Sequence, residues 1–152
     1  SKAELGRALI ARYQAVFGAA LEAIDQQAVK PPEKLRQYAG LYDAVMRDGR
    51  ICLCGMLAAE YATLPAPMQE ELKRFFDMNE RWLVAALLDG RRSGYFLFKE
   101  SAHERARVLL GALEGAMLIA RSYGDPRRFH AAAKRVLADL GAGRKFRQAT
   151  PV

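Results

Sequence analysis

From Leu5 to Leu140 the apolar residues recur at intervals of three and four, and proline or glycine interrupts the pattern at only a few points. That spacing lines side chains along one side of an α-helix, whereas a strand needs alternation, and no convincing alternating stretch occurs. The chain therefore reads as all-α, with about six helices. Ser1 followed by Glu4 is a capping-box signature for a first helix reaching about Ile24. Its two apolar stripes, Leu5, Leu9, Val16 and Ile10, Tyr13, Phe17, Leu21, Ile24, predict burial on more than one side. Pro31-Pro32 starts a second helix, with Leu35, Tyr38, Ala39, Tyr42, Val45 and Met46 as its stripe, ending near Asp48-Gly49.

The stretch GRICLCGMLAAEY supplies the third helix, predicted from about Arg50 to Ala62. It is apolar nearly all round, which marks an interior helix. A fourth helix runs from Pro67 to about Arg91, and Tyr95-Phe96-Leu97-Phe98 is too isolated to pair as a strand, so it reads as a packed connector. Ser101 caps a fifth helix to about Ser122, and Asp125-Pro126 opens a sixth that Gly141 and Gly143 stop. Residues 1–143 form one domain, and 144–152 are expected to be a flexible tail.

Composition narrows the function. With 152 residues, 51% apolar and 27% charged, the chain can bury roughly 70% of its unfolded surface as a single globular domain. No apolar run approaches the ~20 residues of a membrane span, and Lys2, Glu4, Arg7 and Arg12 interrupt the N-terminus, unlike a signal peptide. A cytoplasmic protein without membrane contact is the expectation. The net charge of +7 is spread over separate pairs such as Arg91-Arg92 and Arg127-Arg128, which suits a solvated basic surface better than one nucleic-acid patch.

Cys52 and Cys54 are the only cysteines and His103 and His130 the only histidines. Two residues apart on a helix, the thiols point about 200° from each other, so they do not bridge. A tetrahedral metal site lacks ligands, and Glu100-x-x-His103 resembles half of a di-iron motif without its second half. No catalytic residue, metal or cofactor is expected. Gly111-x-x-x-Gly115 clears one side of the fifth helix and, with an apolar second face including Leu118, Ile119 and Ser122, points to a twofold interface. Aromatic and methionine side chains on three successive helices, with tyrosine hydroxyls, Asn79 and Glu60 among them, form either plain core or the wall of an apolar ligand cavity.

Several stretches resemble the C-terminal part of the TetR/AcrR family of transcriptional repressors. Ser1-Lys2-Ala3-Glu4-Leu5 resembles the end of that family's helix-turn-helix signature, where the chain enters a long connecting helix. Cys52 to Tyr61, the Trp82 helix, and Leu113-Glu114-Gly115-Ala116 followed by Tyr123-Gly124-Asp125 resemble a common subgroup of its regulatory domains. The resemblance implies a homodimeric regulatory domain that binds a small apolar effector. The expected ligand set is Tyr38, Tyr42, Met46, Cys52, Met56, Glu60, Phe75, Asn79, Trp82, Leu113 and Met117. The last two helices are implied to pair with their twofold copies as a four-helix bundle, through Gly111, Gly115, Leu118, Ile119, Ser122, Phe129, Ala133, Val136 and Leu137.

Effector binding would shift the connecting helix and so the separation of two DNA-reading heads, a population shift between states. The helix-turn-helix that reads DNA, roughly 45 residues, is absent from this chain, either through a cut at the domain junction, which is the expected reason, or because the protein naturally lacks that head. Two other readings compete. One is a thiol-based redox or electrophile sensor of the same fold, which needs a lowered thiol pKa although Arg50 is the only nearby cation. The other is a stand-alone helical ligand-binding protein or enzyme using the same cavity.

Overall fold

The computed structural model describes residues 1–27 and 30–141. Among them six α-helices form: α1 (Lys2–Gln27), α2 (Pro31–Arg47), α3 (Leu53–Ala59), α4 (Ala66–Arg92), α5 (Ala102–Tyr123) and α6 (Pro126–Ala138). A 3-10 turn, Tyr61–Thr63, joins α3 to α4, and no strand occurs among the described residues. The tail 144–152 expected to be flexible lies outside the described residues.

Local chemistry sets the boundaries. Pro31 and Pro32 occupy the first turn of α2, where a missing N–H leaves no helical acceptor unfilled. Ser101 and Glu104 close a reciprocal capping box on α5: Glu104 N–H donates to Ser101 Oγ at 3.2 Å, and Ser101 N–H to Glu104 Oε2 at 2.9 Å. Gly124 ends that helix in the left-handed region at φ 60°, which a side chain would disfavour. Asp125 then accepts from Arg127 N–H at 3.1 Å and starts α6.

Packing is centred on α2, α4 and α5, with α1 against α4 and α6 against α5. Each contributes one buried stripe: Phe17 and Leu21 from α1, Leu35 and Tyr42 from α2, Phe75 and Leu87 from α4, Leu109 and Leu113 from α5, Phe129 from α6. The connector after α4 is fastened from two sides. Phe96 N–H donates to the Gly90 carbonyl at 3.2 Å, its ring lies where Gly90 has no side chain, and Leu97 N–H donates to the Leu140 carbonyl at 2.9 Å.

Two sequence expectations need correction. Helix α1 is buried on one side only: Ile10, Phe17, Leu21 and Ile24 enter the core, whereas Leu5, Leu9 and Val16 remain 62%, 53% and 64% exposed. The helices that α1 touches, α2, α3 and α4, account for a single buried stripe. The third helix is also not an interior rod of a dozen residues. Cys52 acts as its N-cap, its sulfur accepting from Gly55 N–H at 3.4 Å, so the helix begins only at Leu53 and runs seven residues. Within it only Cys54 and Gly55 are buried.

Candidate functional site

A row of polar side chains crosses the apolar core where α1, α2, α4 and α5 meet. The four-residue spacing of Tyr38 and Tyr42 puts both hydroxyls on one side of α2, 3.2 Å apart. Tyr38 Oη–H donates to Asn79 Oδ1 at 2.8 Å, and Asn79 Nδ2 donates to the Phe75 carbonyl at 2.9 Å. Tyr42 Oη–H donates to Glu114 Oε1 at 3.3 Å. Tyr38, Tyr42 and Asn79 are 1% exposed or less and Glu114 is 8% exposed, so these groups have been taken out of water and depend on one another.

With Tyr42 donating to Glu114 and Tyr38 to Asn79, the 3.2 Å contact between the two hydroxyls has no proton of its own. Desolvation raises the Glu114 carboxyl above its ordinary range, against the smaller lowering effects of Cys52 and Tyr42. Desolvation likewise raises both tyrosines, so they stay neutral.

The second carboxyl oxygen faces α3. Glu114 Oε2 is buried with no hydrogen-bond partner, and a Cβ built on Gly55 would run into it, so Gly55 is the residue that lets α3 lie over the carboxyl. The Cys52 thiol and Tyr13 hydroxyl complete the surroundings, interacting with one another without a well-formed hydrogen bond between them. Desolvation pushes the Cys52 thiol up to about 12, with the Glu114 charge second, and Cys54 is raised by burial as well. Both thiols are therefore protonated and poorly nucleophilic at neutral pH.

The expected ligand residues divide into those gathered at this row and those left outside. Tyr38, Tyr42, Phe75, Asn79, Leu113 and Met117 are buried together, and Cys52 N–H donates to Met117 Sδ at 3.4 Å. Trp82 stacks on Tyr38 with ring centroids 5.4 Å apart, while its Nε1–H donates to Asp25 at 2.9 Å. Met46 is half-buried at the margin. Met56 is 45% exposed and Glu60 is exposed, because both follow the outer side of the short α3. Missed by the sequence reading were Glu114, Tyr13 and Phe17. Glu114 stands four residues after Leu110 and three before Met117, so its place on a buried stripe was visible in the spacing.

The expected interface residues divide in the same way. Gly111, Ile119 and Ser122 are exposed and Gly115 and Leu118 half-buried on the outer side of α5; a Cβ at either glycine would meet nothing within 4 Å among the described residues. Phe129, Ala133 and Val136 instead point inward, at 1%, 7% and 9% exposure, and Leu137 packs partly beside them. They fill the chain's own core because the apolar stripe of α6 has α5 and α2 to cover it. Glu100 and His103 do not converge: Glu100 pairs with Arg105, and His103 Nδ1 lies 3.7 Å from Glu80.

A groove of about 700 Å³ runs between α2, the connector and α6. Leu35, Ala39, Phe96, Phe129 and Leu140 line it, and His130 bonds Asp43 at 2.6 Å on its rim. It contains none of the expected ligand residues. No helix among the described residues is long and apolar enough to cross a membrane.

These features can be set beside known proteins. The profile of the LmrA/YxaF-like transcriptional regulator C-terminal domain matches residues 31–135. No curated protein matches. Among solved structures, a TetR-family transcriptional regulator from Agrobacterium tumefaciens is 29% identical with a TM-score of 0.90, over 93% of this chain and 76% of that one. A TetR transcriptional regulator from Legionella pneumophila is 25% identical with a TM-score of 0.82, over 93% and 75%. The reduced form of NemR from E. coli, at 21% identity and a TM-score of 0.82 over 95% and 76%, shares the fold. The chain thus belongs to the LmrA/YxaF-like C-terminal domain family of TetR-type transcriptional regulators, and it is a regulatory domain rather than an enzyme.

Proposed function

We propose that this chain is the effector-binding and dimerisation domain of a repressor, in which a small, largely apolar ligand bound by the domain releases DNA. The observation that carries the reading is the buried row Tyr38–Tyr42–Glu114 with Asn79, a few polar groups set in an aromatic core. An effector site needs that combination, apolar walls for affinity and a small number of polar groups for orientation. DNA would be read by a helix-turn-helix carried outside these residues, and the effector would act through α1, which packs against α2 and α4 beside the row. The cell compartment fitting this role is the cytoplasm.

Dimerisation is assigned to the outer side of α5. Val108 and Ile119 are 54% and 56% exposed there, and the open space over Gly111 and Gly115 suits close approach of the same helix from a second copy. Replacing Gly115 by Trp is expected to convert a dimer into monomers by light scattering. An unchanged dimer would place the interface elsewhere.

The groove between α2 and α6 supports a second location for the effector, since its volume lies within the range of small-molecule pockets. Gly40 lines it, and a Cβ there meets nothing within 4 Å, so Gly40→Leu fills the groove without touching the row. A thermal-shift screen of chemically diverse apolar compounds supplies the ligands for this comparison. Core binding predicts hits that survive Gly40→Leu and weaken in Tyr42→Phe. The reverse pattern would assign the effector to the groove, and no hit at all would count against effector binding. The sensor reading has less support, because both thiols are buried and their acidities are suppressed.

A further inference from the structure

Resting on the effector-binding reading above, and on the second of its two locations, we infer that the groove between α2 and α6 receives an amphipathic organic anion. The ligand class is an apolar body carrying one carboxylate, which Lys134 anchors. The apolar half of such a site is already in place. Leu35, Phe96, Phe129 and Leu140 line the groove and are buried in the core beneath it. Backbone bonds fix this floor: Tyr95 N–H donates to the Gly90 carbonyl at 2.8 Å, and Leu97 N–H ties the connector to Leu140 at 2.9 Å. Gly40 keeps the α2 wall low, since a Cβ there meets nothing within 4 Å among the described residues. The volume of about 700 Å³ suits a small molecule.

The rim supplies charge of one sign. Asp43 is the single acid among the described lining residues, and it is engaged twice, by His130 at 2.6 Å and by Arg47 at 3.2 Å. Arg36, on the α2 wall, binds Glu33 through Nε at 3.0 Å and Nη2 at 2.6 Å. Lys134, on the α6 wall, is exposed and makes no hydrogen bond or ion pair among the described residues. Its ammonium is therefore the uncompensated charge of the groove.

A neutral apolar molecule uses the floor alone. A cation is repelled by Lys134 and finds Asp43 already paired. An apolar anion uses the floor and the ammonium together, through burial and one charge-assisted hydrogen bond. Because α2 forms one wall and also packs against α1, a ligand filling the groove bears on the helix through which the effector is proposed to act.

The test uses decanoate, 1-decanol and decylammonium, which share one chain length and differ in head-group charge, with binding followed by calorimetry. In the wild-type chain decanoate is expected to bind about fivefold tighter than decylammonium, the effect of one ion pair at a protein surface. Lys134→Glu, at an exposed position, is expected to invert that order and leave 1-decanol unaffected. Gly40→Leu is expected to abolish binding of all three without changing the oligomeric state by light scattering. The wild-type comparison needs no variant, so a misfolded variant leaves the inference exposed to refutation. Equal binding of decanoate and decylammonium, both lost in Gly40→Leu, overturns the anion class and leaves an effector site in the groove standing. Decanoate binding unmoved by Gly40→Leu overturns the groove as its site, and an oligomeric state altered by Gly40→Leu overturns it by giving the groove to a second copy. Binding of none of the three overturns the inference, while effector binding itself stands or falls by the screen of diverse compounds.

Discussion

Both sides of α5 carry apolar residues, and their fates are opposite. The inner side, Leu109, Leu110, Leu113, Glu114 and Met117, is buried against α2, α4 and α6 and holds the only helix-borne acid of the polar row. The outer side carries Val108, Gly111, Gly115 and Ile119, and no described residue lies over its glycines. Apolarity therefore specifies that a face seeks cover but does not say which molecule provides it. The glycines sharpen the contrast: Gly55, facing the inner side, is filled by Glu114, whereas Gly111 and Gly115 on the outer side border open space.

The largest expected effect tests which side α6 serves. Phe129→Ala removes a ring that is 1% exposed and should lower unfolding stability by about 3–5 kcal/mol in denaturant titrations. A small loss of stability accompanied by loss of dimer would instead return Phe129 to an interface between copies. Next is Gly55→Ala, whose new methyl group collides with Glu114 Oε2 and should cost about 1–3 kcal/mol. In the Glu114→Ala background the same change should cost much less, and equal costs in both backgrounds would show that the carboxyl does not fill that space.

Glu114→Gln has a smaller effect, seen as pH dependence. A carboxyl raised by folding favours the folded state fully below its unfolded pKa, near 4.5, and this contribution is lost as pH rises through the folded value. Wild-type stability relative to Glu114→Gln should therefore decline from pH 4.5 upward until Glu114 has ionised. The exposed, lowered carboxyls of Glu33, Glu104 and Asp125 act oppositely, but they are common to both proteins and cancel in the difference. A flat difference across that window would show that Glu114 titrates normally. The smallest effect is on the outer side, where Gly111→Ala should stabilise an isolated chain by about 0.5–1 kcal/mol through helix propensity. If the same change instead lowers the stability of a dimer, the outer side is covered in solution.

Legibility followed the range of the forces involved. Helix ends were readable because Ser101, Gly124, Asp125 and the Pro31-Pro32 pair act within a few residues of themselves. The aromatic part of the row was readable from spacing, since Tyr38 and Tyr42 share a side of α2. Met56 and Glu60 were misplaced for a local reason with a distant cause: the four-residue step from Cys52 assumed a helix already under way, yet Cys52 is its cap. Glu114 was overlooked because a charged residue on an apolar stripe is usually at the solvent edge, and only the approach of Gly55 and Tyr42 encloses it.

The sequence by itself determined an all-α chain, its breaks and caps, and the apolar stripes of each helix, because backbone sterics and the 3.6-residue repeat act locally. Which stripe became core was decided only by the tertiary structure. α1 carries two stripes and buries one, and α6 turns its stripe inward where an interface was expected. Burial depends on which neighbour reaches a face, and that depends on contacts between residues far apart in the chain, as the meeting of Tyr42 with Glu114 shows.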